Sequence, residues 1–348
     1  MAVSEFDLIY RYLAAYGAGD HVLLGVGDDA AVLAVPPGCQ LLVSTDTQVE
    51  GRHFLGETLP EHIAYRAVAA AASDLAAMAA TPCAMTLALT LPDSDELWLH
   101  SFSQGLAKSV KDLGLPLVGG DLTRGPLTVT VTVMGFAPNG EWLPRSGARA
   151  GDLLCVSGTV GDAAAGLALL QGQLLTGYSM EDARSTMPNA VDASIEDSTE
   201  CSTECSTECD GLSVLTIEQG QYLEDRFFYP SPRFELVDWM RRHAHAAIDV
   251  SDGLLADAGH MAAASGLGCI IQAGDVPLSL ALRSLPRPQA FAWALTGGDD
   301  YELLMAVAPG TELPPMITPV GIFVPEPGIR CEGFEVERSG FDHFGSGV

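Results

Sequence analysis

The feature that most restricts this chain is a turn in which aspartate stands beside glycine, serine or threonine where an apolar run ends or is interrupted. It occurs at Gly25-Val26-Gly27-Asp28-Asp29, Ser44-Thr45-Asp46-Thr47, Gly119-Gly120-Asp121 and Ile248-Asp249-Val250-Ser251-Asp252-Gly253. A further acid-rich turn, Gly297-Gly298-Asp299-Asp300-Tyr301-Glu302, leads into a strand-like run. Adjacent carboxylates repel one another unless something cationic holds them. The donors in these turns are oxygens, which suits magnesium rather than zinc.

Charge narrows the partners. The 348 residues include 45 acids and 17 bases, a formal charge of −28. Such a balance argues against nucleic acid or an anionic membrane as partner. Lysine occurs only at Lys108 and Lys111, in a helical-looking segment away from any glycine-rich loop. A Walker-type loop or a protein-kinase fold needs a lysine on the nucleotide phosphates. Phosphate handled here must therefore be met by arginine and metal ions.

A chain of this length, 48% hydrophobic, can bury a large core and is more comfortable as two domains than as one. The polar, glycine-bearing stretch Arg145-Ser146-Gly147-Ala148-Arg149-Ala150-Gly151-Asp152 marks the expected joint, with domains at residues 1–147 and 148–348. The N-terminus has no basic region before an apolar run, so it does not read as a signal peptide. Residues 63–91 are the most apolar stretch but contain Arg66, Asp74 and Pro82, so a helix followed by a strand is expected rather than a membrane span. A cytoplasmic location is the default.

Helical spacing from Ser4 to Tyr16 predicts an opening helix capped by Ser4 and stopped by Gly17. A strand at 41–45, an alanine-rich helix at 61–80 and a strand at 85–91 follow. Next come a helix at 95–113 and strands at 115–118 and 127–133. The second half opens with a strand at 153–157 and a Gly-x-x-Gly turn into another alanine-rich helix. Such a turn can hold phosphate or simply connect strand to helix. Residues 172–221, with Ser-Thr-Glu-Cys three times over at 198–209, read as an acidic low-complexity insertion. Cys39, Cys83, Cys155, Cys269 and Cys331 are scattered and read as ordinary core or surface residues. Beyond the insertion, a helix through His243, strands at 246–250, 304–308 and 317–323, and an aromatic tail, Phe341 and Phe344, complete the pattern. Asp74 is either a surface charge or an acid aimed inward. His53 is either a core or surface histidine or a contact to an anionic ligand.

In order along the chain, GVGDDAAVL, STDTQVEGRHF, SDLAAM, GGDLTRGP, RSGARAGD, IDVSDGL and TGGDDYEL resemble the thiamine-monophosphate kinase family. That family belongs to the superfamily of aminoimidazole ribonucleotide synthetase and selenophosphate synthetase. The resemblance spans nearly the whole length except the insertion. It implies an α/β fold of the α+β type in two domains, the N-terminal one pairing across a homodimer into a barrel-like sheet. It also implies transfer of the γ-phosphoryl of ATP to thiamine monophosphate, giving thiamine diphosphate with the help of several Mg²⁺ ions.

Residue by residue, the family's metal ligands fall on Asp29, Ser44, Thr45, Asp46, Asp74, Asp121, Asp249 and Asp252. Its nucleotide contacts fall on Gly120, Arg145 and Ser251, with Asp29, Asp121 and Asp252 near the phosphates. Its substrate contacts fall on His53, Asp299 and Phe341. Where Asp299 stands, the family usually carries glutamate, one methylene longer. The acceptor is already an anionic phosphate oxygen, so no general base is assigned. Charge stabilisation falls to Arg145 and the metal ligands. Two rivals remain in view: a synthetase of the same superfamily that activates an amide or selenide, and a metal or thiamine-phosphate binding protein without turnover.

Overall fold

The computed structural model describes residues 4–174 and 215–335. Phe341 and the Ser-Thr-Glu-Cys repeats lie outside these described residues. The first half runs α1 (Glu5–Tyr12), β1 (Val22–Leu24), β2 (Val32–Leu33), β3 (Cys39–Val49), α2 (Pro60–Ala77), β4 (Thr81–Leu91), α3 (Glu96–Leu113), β5 (Leu117–Arg124) and β6 (Thr128–Pro138). The second runs β7 (Leu153–Ser157), α4 (Asp162–Leu170), α5 (Ile217–Phe228), α6 (Val237–His243), β8 (Ala244–Asp249), α7 (Leu254–Ala264) and β9 (Gly268–Gln272). It closes with α8 (Leu280–Arg283), α9 (Arg287–Thr296), β10 (Leu303–Val307), β11 (Ile317–Val324) and β12 (Gly328–Glu332).

Two principal sheets fall on either side of residues 145–152. The first has the order β3-β6-β4-β5, antiparallel except for β4 with β5. The second has the order β12-β9-β11-β7-β10-β8, antiparallel except for β12 with β9. The mixture of sheets and helices is the α+β class expected from the sequence.

Helix α2 lies between the sheets. Its alanines bury nearly every face, as a helix with apolar residues all round must. One side packs with Leu42, Leu87, Val129 and Val131 in the N-terminal core. Its end, Ala76 to Ala79, packs with Cys155, Ala247, Leu303 and Met305 of the second sheet. The other face of that sheet is covered by α7 and α9 through Leu254, Met261, Phe291 and Leu295. Strand β10 is thus buried on both faces and reads as a continuous apolar run. Strand β6, covered on one face only, alternates buried and half-buried residues throughout.

Several boundaries differ from the sequence reading. The opening helix ends at Tyr12 and a short 3-10 turn carries the chain to Tyr16, although Ser4 caps it as expected in a reciprocal box with Asp7. Strands β3 and β5 run through Asp46 and Asp121 instead of stopping before them. Helix α5 starts inside the expected insertion, with Thr216 and Gln219 forming a capping box that signals its start. Strands β9 and β12 carry too little periodic signal to be read from sequence. Cys83, Cys155 and Cys269 are buried and Cys39 and Cys331 half-buried, all with free thiols. Among the described residues no helix is long and apolar enough to cross a membrane.

Close packing of α2 on α3 depends on Gly105, where a Cβ would fall on the Glu61 carbonyl. Gly105→Ala is therefore expected to cost about 1–3 kcal/mol despite the better helix propensity of alanine. The shift in the urea midpoint at unchanged slope measures it.

Candidate active site

Strand β3 and helix α2 together create the first acid cluster. On β3 the even-numbered residues face α2, and Ser44 donates from its hydroxyl to Asp74 Oδ2 at 2.5 Å. Asp46 lies two residues on, on the same face by the period of the strand. Burial pushes its carboxyl up from the ordinary value and the Asp74 carboxylate adds to this, while the Thr47 N–H, His53 and Arg66 pull it back. Asp74 therefore points inward, which settles the alternative left open by the sequence. His53 accepts from the Val49 N–H at its Nδ1, so when neutral it carries its proton on Nε2.

Strand β8 brings the next acid from the other sheet. Asp249 is buried at the end of β8, paired with Leu303 of β10. Burial pushes its carboxyl up to about 7, with Asp74 beside it raising it further and Arg145 drawing it down. The following turn is fixed from behind by Asp257, whose Oδ2 accepts from the N–H groups of Ser251, Asp252 and Gly253 at 3.0, 3.0 and 3.1 Å. Burial, with Asp249 near, pushes Asp257 up to about 8, against the pull of those N–H donors. Asp252, Asp257 and His260 place ligand atoms within 4.8 Å of one another.

The acid turn before β10 is laid along this one. Asp299 N–H donates to the Ser251 carbonyl at 3.0 Å and Tyr301 N–H to the Val250 carbonyl at 2.9 Å. Asp299 and Tyr301 take φ of 70° and 51°, a left-handed backbone that costs free energy in any residue but glycine. Asp299 Oδ1 pairs with Arg66 Nη2 at 2.7 Å and accepts from the Tyr301 hydroxyl at 3.2 Å. The intervening residues serve the interior. Asp300 accepts from the N–H groups of Gly161 and Ala163 at 2.5 and 3.1 Å, and burial pushes its carboxyl up to about 8. Glu302 is fully buried and paired with Arg226 and Arg233. The Gly-x-x-Gly turn at 158–161 thus docks onto Asp300, a structural role.

A second group lines a cleft of about 580 Å³ between α1, the loop joining β1 to β2, and β5. Asp28, Asp29, Gly120 and Asp121 line it, with Phe6, Ile9 and Tyr10 opposite. Gly120 has φ +155° and its missing Cβ would strike the Leu87 carbonyl, so only glycine lets β5 lie this close to β4. No hydrogen bond or ion pair among the described residues joins this group to the Asp46–Asp74–Asp249 cluster. Arg145 is exposed between β6 and β7. The Thr45 side chain points away from Ser44 and Asp46. Adjacent strand residues face opposite sides, and its hydroxyl lies 2.9 Å from that of Thr132 on the outer face. Arg66, Tyr301 and Asp257 escaped the sequence reading, although a lone arginine in an alanine-rich helix was a visible signal for the first.

Comparison with known proteins gives this geometry a context. Residues 27–137 match the family described as AIR synthase related protein, N-terminal domain. The thiamine-monophosphate kinase of Escherichia coli K12 is 42% identical over 309 residues, covering 88% of this chain and 83% of that protein. A crystal structure of thiamine-monophosphate kinase from Stenotrophomonas maltophilia K279a superposes with a TM-score of 0.77 at 37% identity, over 96% of this chain and 98% of that one. A structure described as AaThiL complexed with AMPPCP and TMP does so with a TM-score of 0.72 at 27% identity, over 99% of each chain. With two acid-bearing sheets meeting at one helix and a relative this similar over most of both lengths, the chain belongs to the thiamine-monophosphate kinase family.

Proposed function

We propose that this protein phosphorylates thiamine monophosphate with ATP, giving thiamine diphosphate and ADP. The observation that carries the reading is the convergence of Asp46, Asp74 and Asp249, from two sheets and the helix between them, in a site without lysine. An all-oxygen set of desolvated, mutually repelling carboxylates fits a hard divalent cation. Asp46, Asp74 and Asp249 would hold Mg²⁺, with Asp29, Ser44, Asp121, Asp252 and the Thr45 carbonyl as further donors. Bound there, Mg²⁺ supplies neutralisation of charge on the phosphoryl oxygens.

The chain's own part is to bring two polyanions together. Gly120 lets a nucleotide approach the β5 backbone, Ser251 offers a hydroxyl, and Arg145 offers a permanent positive charge to the phosphates. Asp257 keeps the turn at Ser251 and Asp252 from rearranging. His53, Asp299 and Phe341 are the candidate contacts to the thiamine compound, Asp299 lying along the turn at Ser251 through its N–H to the Ser251 carbonyl. The acceptor oxygen already carries negative charge, so no side chain need remove a proton. Dependence on ATP supports a cytoplasmic location.

The outer face of the four-stranded sheet supports a homodimer. Val43 and Leu41 are 58% and 46% exposed there, beside the hydrogen-bonded threonine pairs Thr45–Thr132 and Thr47–Thr130. A second copy covering that stripe would remove the apolar surface from water. Val43→Asp is expected to turn a dimer in sedimentation velocity into a monomer.

Phosphorus NMR with MgATP and thiamine monophosphate, beside a control lacking the thiamine compound, tests the reaction. Equal amounts of thiamine diphosphate and ADP are expected, and Asp46→Asn should cut the rate about 100-fold or more while the fold persists. ADP with free phosphate alone would instead indicate a synthetase, and absence of turnover a binding protein.

The raised Asp249 gives a pH signature. A carboxyl whose folded value is raised contributes stability that is complete below the ordinary carboxylate range and lost as pH rises through about 7. Metal-free protein should accordingly lose Tm between about pH 5 and pH 8, and added Mg²⁺ should raise Tm more at the higher pH, since metal binding displaces protons. Differential scanning calorimetry at both pH values measures it.

A further inference from the structure

Arg66 is an unusual residue for its place. Its side chain is 1% exposed in the middle of the alanine-rich helix α2. A buried guanidinium cannot shed its charge, and burying it as an ion pair is a poor route to stability compared with an apolar side chain of similar volume. Its contacts all reach across to the other half of the molecule. Nη1 donates to the Phe227 carbonyl at 2.6 Å, the guanidinium lies over the Phe227 ring at 4.1 Å, and Nη2 pairs with Asp299 Oδ1 at 2.7 Å. Nε is buried without a hydrogen-bond partner among the described residues, so the group is not placed to satisfy its own donors.

Asp299 is the other half of the argument. It holds a left-handed backbone conformation that a residue with a side chain adopts at a cost. Its carboxylate stays 35% exposed although one partner is completely buried, so the pair is open to solvent on the Asp299 side. Both fixed contacts, from Arg66 and from the Tyr301 hydroxyl, fall on Oδ1. Oδ2 is left as the oxygen that can accept from a ligand. One carboxylate oxygen is thereby clamped from the interior so that the other is presented in a set direction.

We propose that Arg66 is a positioning residue that aims Asp299 at the thiamine compound and fixes the acid turn of the second sheet against α2, so that it sets the affinity for the acceptor and not for ATP. This rests on the kinase reading above. Lysine at position 66 would keep the charge but lose the planar fork that engages Phe227 and Asp299 together.

Arg66→Lys, Asp299→Asn and the double variant separate the possibilities. In steady-state kinetics with the full-length protein, each single variant is expected to raise KM for thiamine monophosphate about tenfold and to leave KM for ATP within about twofold. The double variant should add little to either single change, because both disable one contact. Equal rises in both KM values, or a fall in Tm with both KM values unchanged, would overturn the proposal in favour of a purely structural ion pair. Calorimetric titration with thiamine monophosphate alone reads the same difference in affinity without turnover. An inactive wild type that binds the thiamine compound more tightly than both variants would thus defeat the kinase reading and leave the role of Arg66 standing. Equal binding by all three proteins would defeat the role of Arg66.

Discussion

Helix α2 can lie between two sheets only because its side chains are small. Alanine after alanine lets both sheets approach its backbone, and the glycine of α3 lets a third element do the same. Every distance at the site follows from that close approach. Asp74 reaches Ser44 on one sheet and lies beside Asp249 on the other because the helix that carries it is thin. Larger side chains on α2 would hold the sheets apart and separate the acids that now share one volume.

The same closeness carries an electrostatic cost, and the fold divides its countermeasures between backbone and side chain. Asp257 and Asp300 are met by N–H groups of the turns they stabilise, whereas Glu302 is met by two arginines. Asp46 has the Thr47 N–H and Asp249 the Ser73 hydroxyl, with weaker help from Arg66 and Arg145, and burial still pushes both carboxyls up. Acids that serve the architecture are thus met by several donors or by arginine, whereas Asp46 and Asp249 face the neighbouring carboxylate of Asp74 with fewer. In the turn before β10 the two kinds alternate, Asp299 and Tyr301 toward Arg66, Asp300 and Glu302 toward the interior.

The regular elements were largely legible because their periodicity is strong: the alanine-rich helices, the threonine alternation of β6 and the apolar run of β10 all declare themselves. Short strands such as β9 and β12, five residues each, have no pattern that outweighs their surroundings. The acid turns announced the site, yet consecutive residues in a motif need not act together. Ser44, Thr45 and Asp46 are adjacent in sequence, and the pleat sends the middle one to the opposite face. Arg66 illustrates the converse: its meaning lies in Asp299 and Phe227, more than 150 residues away, and no local pattern reports contacts of that range.

Leu174 and Leu215 belong to one apolar cluster with Leu223 and Leu282, and α4 and α5 pack directly, with Gly166 against the Leu223 carbonyl. Leu174 and Leu215 are therefore already held together by folded neighbours. For a connection whose ends are fixed in this way, the entropy of closure grows only with the logarithm of its length. The position between α4 and α5 is consequently a place where this architecture can absorb or shed sequence during evolution while the acid-bearing turns keep their register.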